Sequence, residues 1–206
     1  MISGLPRRRP PGTNAARAAL LLAIAVLASG PAIADFDLTE LMAMLAKVER
    51  SSVAFEEKRY LAVLATPIVR RGTLNYARPD HLEMHVVTPF PETIDVTGNR
   101  MRIEAPEQKT RELDLGSQPV ALAWIEGIRA SLAGDAAALA RLFRVTMTGT
   151  PAVWQMALEP VEPRVAAALR RIDVTGRQSQ LDTIEILDQQ GDRVVIRLQP
   201  VVRSAP

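Results

Sequence analysis

The chain has two histidines, His81 and His85, four residues apart with Glu83 between them. Imidazole, carboxylate and imidazole are the donors of a metal site or of a general base. Their spacing tells against both uses. Leu82, Met84 and Val86 alternate with His81, Glu83 and His85, which reads as a strand, and residues i and i+4 of a strand stand roughly 13 Å apart, too far for one metal ion. The three polar side chains fall on the phase that faces solvent. No third histidine exists to complete a Ser-His-Asp set drawn from distant segments. The carboxylates are scattered over alternating polar positions and converge nowhere. With no catalytic, metal or cofactor motif in view, the expectation is a protein that is not an enzyme.

The elements around those histidines carry more information. From Pro67 to Glu104 the sequence reads PIVRRGTLNYARPDHLEMHVVTPFPETIDVTGNRMRIE. Leu74 and Tyr76, then Leu82, Met84 and Val86, then Ile94 and Val96, then Met101 and Ile103 each alternate with polar neighbours. Repeated period-two alternation predicts an antiparallel sheet with one apolar face. Arg78-Pro79-Asp80, Pro89-Phe90-Pro91 and Thr97-Gly98-Asn99 supply the turns. An apolar face with no chemistry on it requires a cover.

Residues 1–34 have the pattern of an export signal: Arg7, Arg8 and Arg9, an apolar run from Ala15 to Ala28, and Ala32-Ile33-Ala34 as a cleavage site. The run is short for a spanning helix, which needs about 20 apolar residues. Processing would leave Asp35 as the N-terminus and residues 35–206 as one domain. Four of the 25 basic residues, and none of the 23 acidic ones, lie in this leader, which leaves 21 against 23. A net charge of −2 withdraws the compositional support for nucleic-acid binding. Cysteine is absent, so neither a disulfide framework nor a lipid-modified N-terminal cysteine is possible.

Leu38, Leu41, Met42, Leu45 and Val48 fall at helical spacing behind a capping Asp37. Ser52 to Leu64 reads as a long strand, with Phe55-Glu56-Glu57-Lys58 early in it and its charges assigned to a solvated face. Arg111 to Leu115 is a further strand. Val120, Ala121, Trp124, Ile125, Ile128 and Leu132 make an apolar helical stripe that Gly134 ends, and Asp135 caps a shorter helix running to Phe143. Strands follow at 144–149, 152–160, 172–176, 181–187 and 193–199, with a helical turn at 163–170. The fold class expected is α+β: a curled, incomplete antiparallel barrel of about ten or eleven strands under a helical lid. Such a shell encloses an apolar cavity. Its candidate lining is Leu74, Tyr76, Leu82, Met84, Val86, Ile94, Val96, Met101, Ile103, Trp124, Ile125, Ile128, Met147, Trp154 and Met156. Methionine, unbranched and adaptable, suits a cavity that admits flexible chains, although the same residues would equally serve an ordinary core.

The ordered series Gly72-x-Leu74-x-Tyr76-x-Arg78-Pro79-Asp80, Leu82-x-Met84, Thr88-Pro89 and Thr97-Gly98-Asn99, with Phe55-x-x-Lys58 upstream, resembles the periplasmic lipoprotein carriers of the LolA type. The resemblance extends loosely over nearly all of the processed chain. It implies a periplasmic, monomeric carrier that needs no cofactor and shields acyl chains between an inner-membrane donor complex and an outer-membrane acceptor, with transient membrane-proximal contacts. It also implies that Arg78 holds the lid through hydrogen bonds. Met84 stands where such carriers place aromatics, as do Arg100, Met101 and Arg102. The chain thus resembles a divergent member whose cargo is a lipoprotein, a glycolipid or another acylated product. A sensor or adaptor using the same shell to bind acyl groups or a protein remains the alternative.

Overall fold

The structure, a computed structural model, describes residues 36–200; the signal segment expected at 1–34 lies outside them. Eleven strands form a single antiparallel sheet. They are β1 (Arg50–Tyr60), β2 (Ile68–Ala77), β3 (His81–Thr88), β4 (Glu92–Thr97), β5 (Arg100–Glu104), β6 (Arg111–Asp114), β7 (Phe143–Thr150), β8 (Val153–Pro160), β9 (Leu169–Arg177), β10 (Gln180–Asp188) and β11 (Arg193–Pro200). In space they run β6-β5-β4-β3-β2-β1-β11-β10-β9-β8-β7. The first six strands meander outward from β1, and the last five return from the far edge until β11 pairs with β1, Phe55 opposite Leu198.

The chain must therefore cross from edge strand β6 to edge strand β7. It does so through a 3-10 turn (Leu115–Ser117), helix α2 (Pro119–Ala133) and helix α3 (Ala136–Leu142). Helices of 15 and 7 residues provide about 33 Å at 1.5 Å per residue. A flat sheet of eleven strands would hold its edges about 48 Å apart at the usual strand spacing. The sheet curls, its edges stay unpaired with one another, and the helices lie over the inner face. Gly127 lets α2 settle so closely that a Cβ there would stand 3.1 Å from Ile172 Cδ1.

Local chemistry follows the sequence in most places. Asp37 Oδ1 accepts from Glu40 N at 2.9 Å and starts α1 (Leu38–Leu45). Asp135 does the same for α3 through Ala138 N at 2.8 Å. Gly134 ends α2 at φ 65°, with no room for a side chain because a Cβ would lie 2.2 Å from Met42 O. The α1 stripe stops at Leu45, and Val48 lies beyond it. A short α4 spans Pro163–Ala166, and β9 already begins at Leu169.

Three expectations need correction. The first strand ends at Tyr60, because Leu64 N turns back to Leu61 O at 2.9 Å and the run Leu61–Leu64 is a loop. Leu115 is not in β6: it is fully buried in the 3-10 turn, while all four residues of β6 are exposed. Glu57 is not on a solvated face. It shares the inner phase with Phe55, is buried, and accepts from Arg70 Nε at 3.1 Å and Arg70 Nη2 at 2.8 Å. Arg70 Nη1 also reaches Glu92 Oε1 at 2.5 Å. Only Glu56 and Lys58 keep to the outer face, paired at 3.1 Å.

Candidate functional site

A cavity of about 490 Å³ opens at the end of the sheet where β1 begins, a size typical of small-molecule pockets. Leu45 and Val48 from the end of α1 and Leu132 from the end of α2 form its roof. Val53, Leu74 and Tyr76 of β1 and β2 form one wall, and Leu181 and Leu198 of β10 and β11 another. Arg50, Ser51, Ser52 and Asp182 give the mouth its polar groups.

Arg78 follows β2 immediately and lies beside the roof without lining the cavity itself. Its Nη1 donates to Ala46 O at 2.7 Å and to Ala133 O at 3.1 Å. These are the carbonyls beside the roof residues Leu45 and Leu132. Each belongs to the C-terminal end of a helix, where backbone acceptors lack intrahelical partners and the dipole is negative. One exposed guanidinium thus joins both roof helices to the sheet.

Arg129 makes a second attachment, which the sequence reading did not single out. It is buried on α2, and its Nη1 donates to Asp80 O at 3.2 Å and to Gly98 O at 2.8 Å. Its Nη2 forms an ion pair with Glu126. The two turns it grips are themselves tied, with Gly98 N donating to Asp80 Oδ2 at 3.0 Å. The available signal was spacing, since Arg129 falls four residues after Ile125 and three before Leu132, on the apolar stripe.

Of the expected lining residues, Leu74 and Tyr76 reach this cavity. Leu82, Val86, Val96, Ile125, Trp154 and Met156 are buried in the continuous core. Trp154 packs over Gly176, where a Cβ would meet its ring at 2.3 Å, and its Nε1 donates to Gln178 O at 2.9 Å. Met84, Ile94, Met101, Trp124, Ile128 and Met147 pack half-buried against that core, and Ile103 is half-buried at the end of β5. Arg70 Nη2 lies 3.9 Å from Met84 Sδ, so the Glu57–Arg70–Glu92 lattice bounds the apolar face on that side. His81 Nε2 meets Asp95 Oδ2 at 2.6 Å and His85 Nδ1 meets Thr93 Oγ1 at 3.0 Å, each pairing across to β4. Among the described residues no cluster of three metal-ligating side chains occurs, and no helix is long and apolar enough to cross a membrane.

The sequence matches the family described as outer membrane lipoprotein carrier protein LolA-like over residues 28–205. The chain belongs to that family. No curated protein matches it. Among solved structures, this LolA-like chain is similar to a LolA superfamily protein from Nitrosomonas europaea, at 9% identity, with 83% of this chain and 96% of the other covered and a TM-score of 0.42. It is also similar to a chain of the Pseudomonas aeruginosa MucA/MucB complex, at 10% identity, covering 82% and 59% with a TM-score of 0.43. A chain of the complex between the CwlD amidase and the GerS lipoprotein from Clostridioides difficile matches at 12% identity, covering 90% and 92% with a TM-score of 0.38.

Within the LolA-like cavity wall, Tyr76 carries a buried hydroxyl that finds no partner among the described residues. Burial pushes its phenol above the ordinary value. Leaving such a group unpaired costs stability, so Tyr76→Phe is expected to raise unfolding free energy by about 1 kcal/mol in urea titrations. The folded state also keeps this proton longer than the unfolded chain does. That contribution is whole below about pH 10 and is lost as pH rises through the folded-state value, a loss absent from Tyr76→Phe.

Proposed function

We propose that the protein is a soluble periplasmic carrier. It shelters the acyl chains of a lipoprotein or lipid beneath the α1 and α2 ends and delivers them toward the outer membrane. The observation that carries this reading is the pairing of an apolar cavity with a single arginine holding its two roof helices. Each methylene withdrawn from water contributes about 0.8 kcal/mol, so a long acyl chain exposed between membranes costs on the order of 10 kcal/mol. A carrier has to offset that cost closely, since a much tighter grip would prevent release. A modest cavity under helix ends that Arg78 bridges suits a reversible grip.

Val53→Trp tests the reading by filling the cavity from its wall. The fold should persist, because Val53 is only partly buried at the mouth. Binding of a fluorescent fatty-acid probe should fall about tenfold, a loss of about 1.4 kcal/mol. Mass spectrometry of native co-purifying material would then separate lipoprotein from glycolipid. Absence of probe binding by the unaltered protein, with no acylated material co-purifying, would reject the carrier in favour of a sensor or adaptor.

A further inference from the structure

Four buried polar side-chain atoms lack a partner among the described residues: Tyr76 Oη, Trp124 Nε1, Arg129 Nε and Asp173 Oδ1. Of their residues, Tyr76 alone lines the cavity of about 490 Å³. It is 3% exposed, shares the inner face of β2 with Leu74, and stands opposite Ser51 of β1. Every other polar residue of the lining is exposed or half-buried. Two of these are already engaged. Ser52 Oγ donates to Asn75 Oδ1 at 2.7 Å, and Asp182 takes Arg177 through both carboxylate oxygens, at 2.7 and 2.9 Å.

A phenol buried without a partner costs stability, and phenylalanine would supply the same ring without that cost. A hydroxyl that weakens the empty protein has its use when a ligand brings the acceptor it lacks. Burial holds the phenol above its ordinary range, so at neutral pH it carries its proton and can donate. The partner it calls for is therefore an acceptor.

We propose that the Tyr76 hydroxyl donates to a carbonyl oxygen at the head of the bound acyl chain. This deepens the carrier reading and rests on it. A hydrocarbon tail gains from apolar burial alone and reads no position along a cavity. A donor set in an otherwise apolar wall fixes where the chain stops. The end at which it does so is the roofed one. Tyr76 lies two residues before Arg78, whose guanidinium joins the helix ends at Ala46 O and Ala133 O. The carbonyl thus sits beneath Leu45 and Leu132, and the rest of the chain runs along Val53, Leu181 and Leu198. The same acceptor occurs in the ester of an acylated lipid or lipoprotein and in the carboxylate of a free fatty acid.

Three fluorescent probes of one shape test this: diphenylhexatriene, its propionic acid, and the methyl ester of that acid. The unaltered protein should bind the ester and the acid more tightly than the hydrocarbon. Tyr76→Phe should lower affinity for the oxygen-bearing probes about fivefold and leave the hydrocarbon unchanged, while stability rises. One substitution then strengthens the fold and weakens the ligand, which a loss of packing would not do. A fall seen with the ester as well as the acid supports the proposal and assigns the acceptor to an acylated lipid or lipoprotein. A fall confined to the acid supports it with a free fatty acid as the source. Unchanged affinity for all three probes overturns the proposal and leaves the carrier reading standing. So does an equal fall for all three, which would mark packing of the ring. Failure of the unaltered protein to bind any probe counts against the carrier reading itself and overturns the proposal with it.

Discussion

Arg129→Met is expected to destabilise the fold by about 3 kcal/mol, the low end for breaking a buried ion pair, because Glu126 keeps some access to water. Arg129 is 5% exposed and holds three acceptors at once: Asp80 O, Gly98 O and the Glu126 carboxylate. Methionine can fill the space of the stem but donates nothing. Two turn carbonyls and a carboxylate then lose their partner, and α2 loses its tie to the β2–β3 and β4–β5 turns. Arg129 Nε already lacks a partner among the described residues, so the native arrangement is not fully satisfied. Replacing both charges, Arg129→Met with Glu126→Leu, should therefore recover a measurable part of the loss, giving a coupling of about 1 kcal/mol or more in a double-mutant cycle. Urea denaturation measures both. A single variant that loses under about 1 kcal/mol would show that packing, and not this arginine, fixes α2.

The faces of β2 to β5 were legible from alternation alone, because the side-chain period of two does not depend on partners. The helix starts at Asp37 and Asp135 were legible for a similar reason, since a cap is a contact three residues away. The cavity was not. Alternation tells which side of the sheet Leu74 and Met84 face, but not which inner-face position remains unfilled. That depends on β11 pairing with β1, more than a hundred residues apart in the chain, and on Leu181 and Leu198 arriving opposite Leu74. The candidate lining ran over β2 to β5, α2, β7 and β8; Leu74 and Tyr76 of it reach the cavity, while Val86 is sealed in the core. Glu57 misled for the complementary reason. A charge on the apolar phase looks like a break in the pattern until Arg70, thirteen residues later, is seen opposite it. The β1 overrun into Leu61–Leu64 came from reading apolar residues as buried. Val63 and Leu64 point into solvent, and nothing local distinguishes the two cases.

Arg78→Leu is expected to slow cargo release about fivefold while lowering stability by about 1 kcal/mol. The small stability cost follows from exposure: once freed, Ala46 O and Ala133 O can turn to water, and the dipole contribution of a cation at an exposed helix end is about 0.3–1 kcal/mol. The effect on release follows from linkage. If the empty, closed protein alone contains the bridge between the α1 and α2 ends, removing it raises only the free energy of that state. A closed state weakened by about 1 kcal/mol makes cargo bind about fivefold tighter, because cargo no longer competes with the latch. Leucine also adds an apolar contact beside the roof, so Arg78→Lys serves as the control. A lysine ammonium can reach one carbonyl or the other but lacks the planar fork that grips both ends, and should restore release in part. Transfer of a fluorescent fatty acid from each protein to acceptor vesicles gives the rates, and equilibrium titration gives the affinities. Tighter binding with proportionately slower transfer, partly reversed by lysine, is the outcome expected of a latch. Unchanged transfer in Arg78→Leu would reduce the two hydrogen bonds to helix capping and leave the opening of the cavity to other contacts.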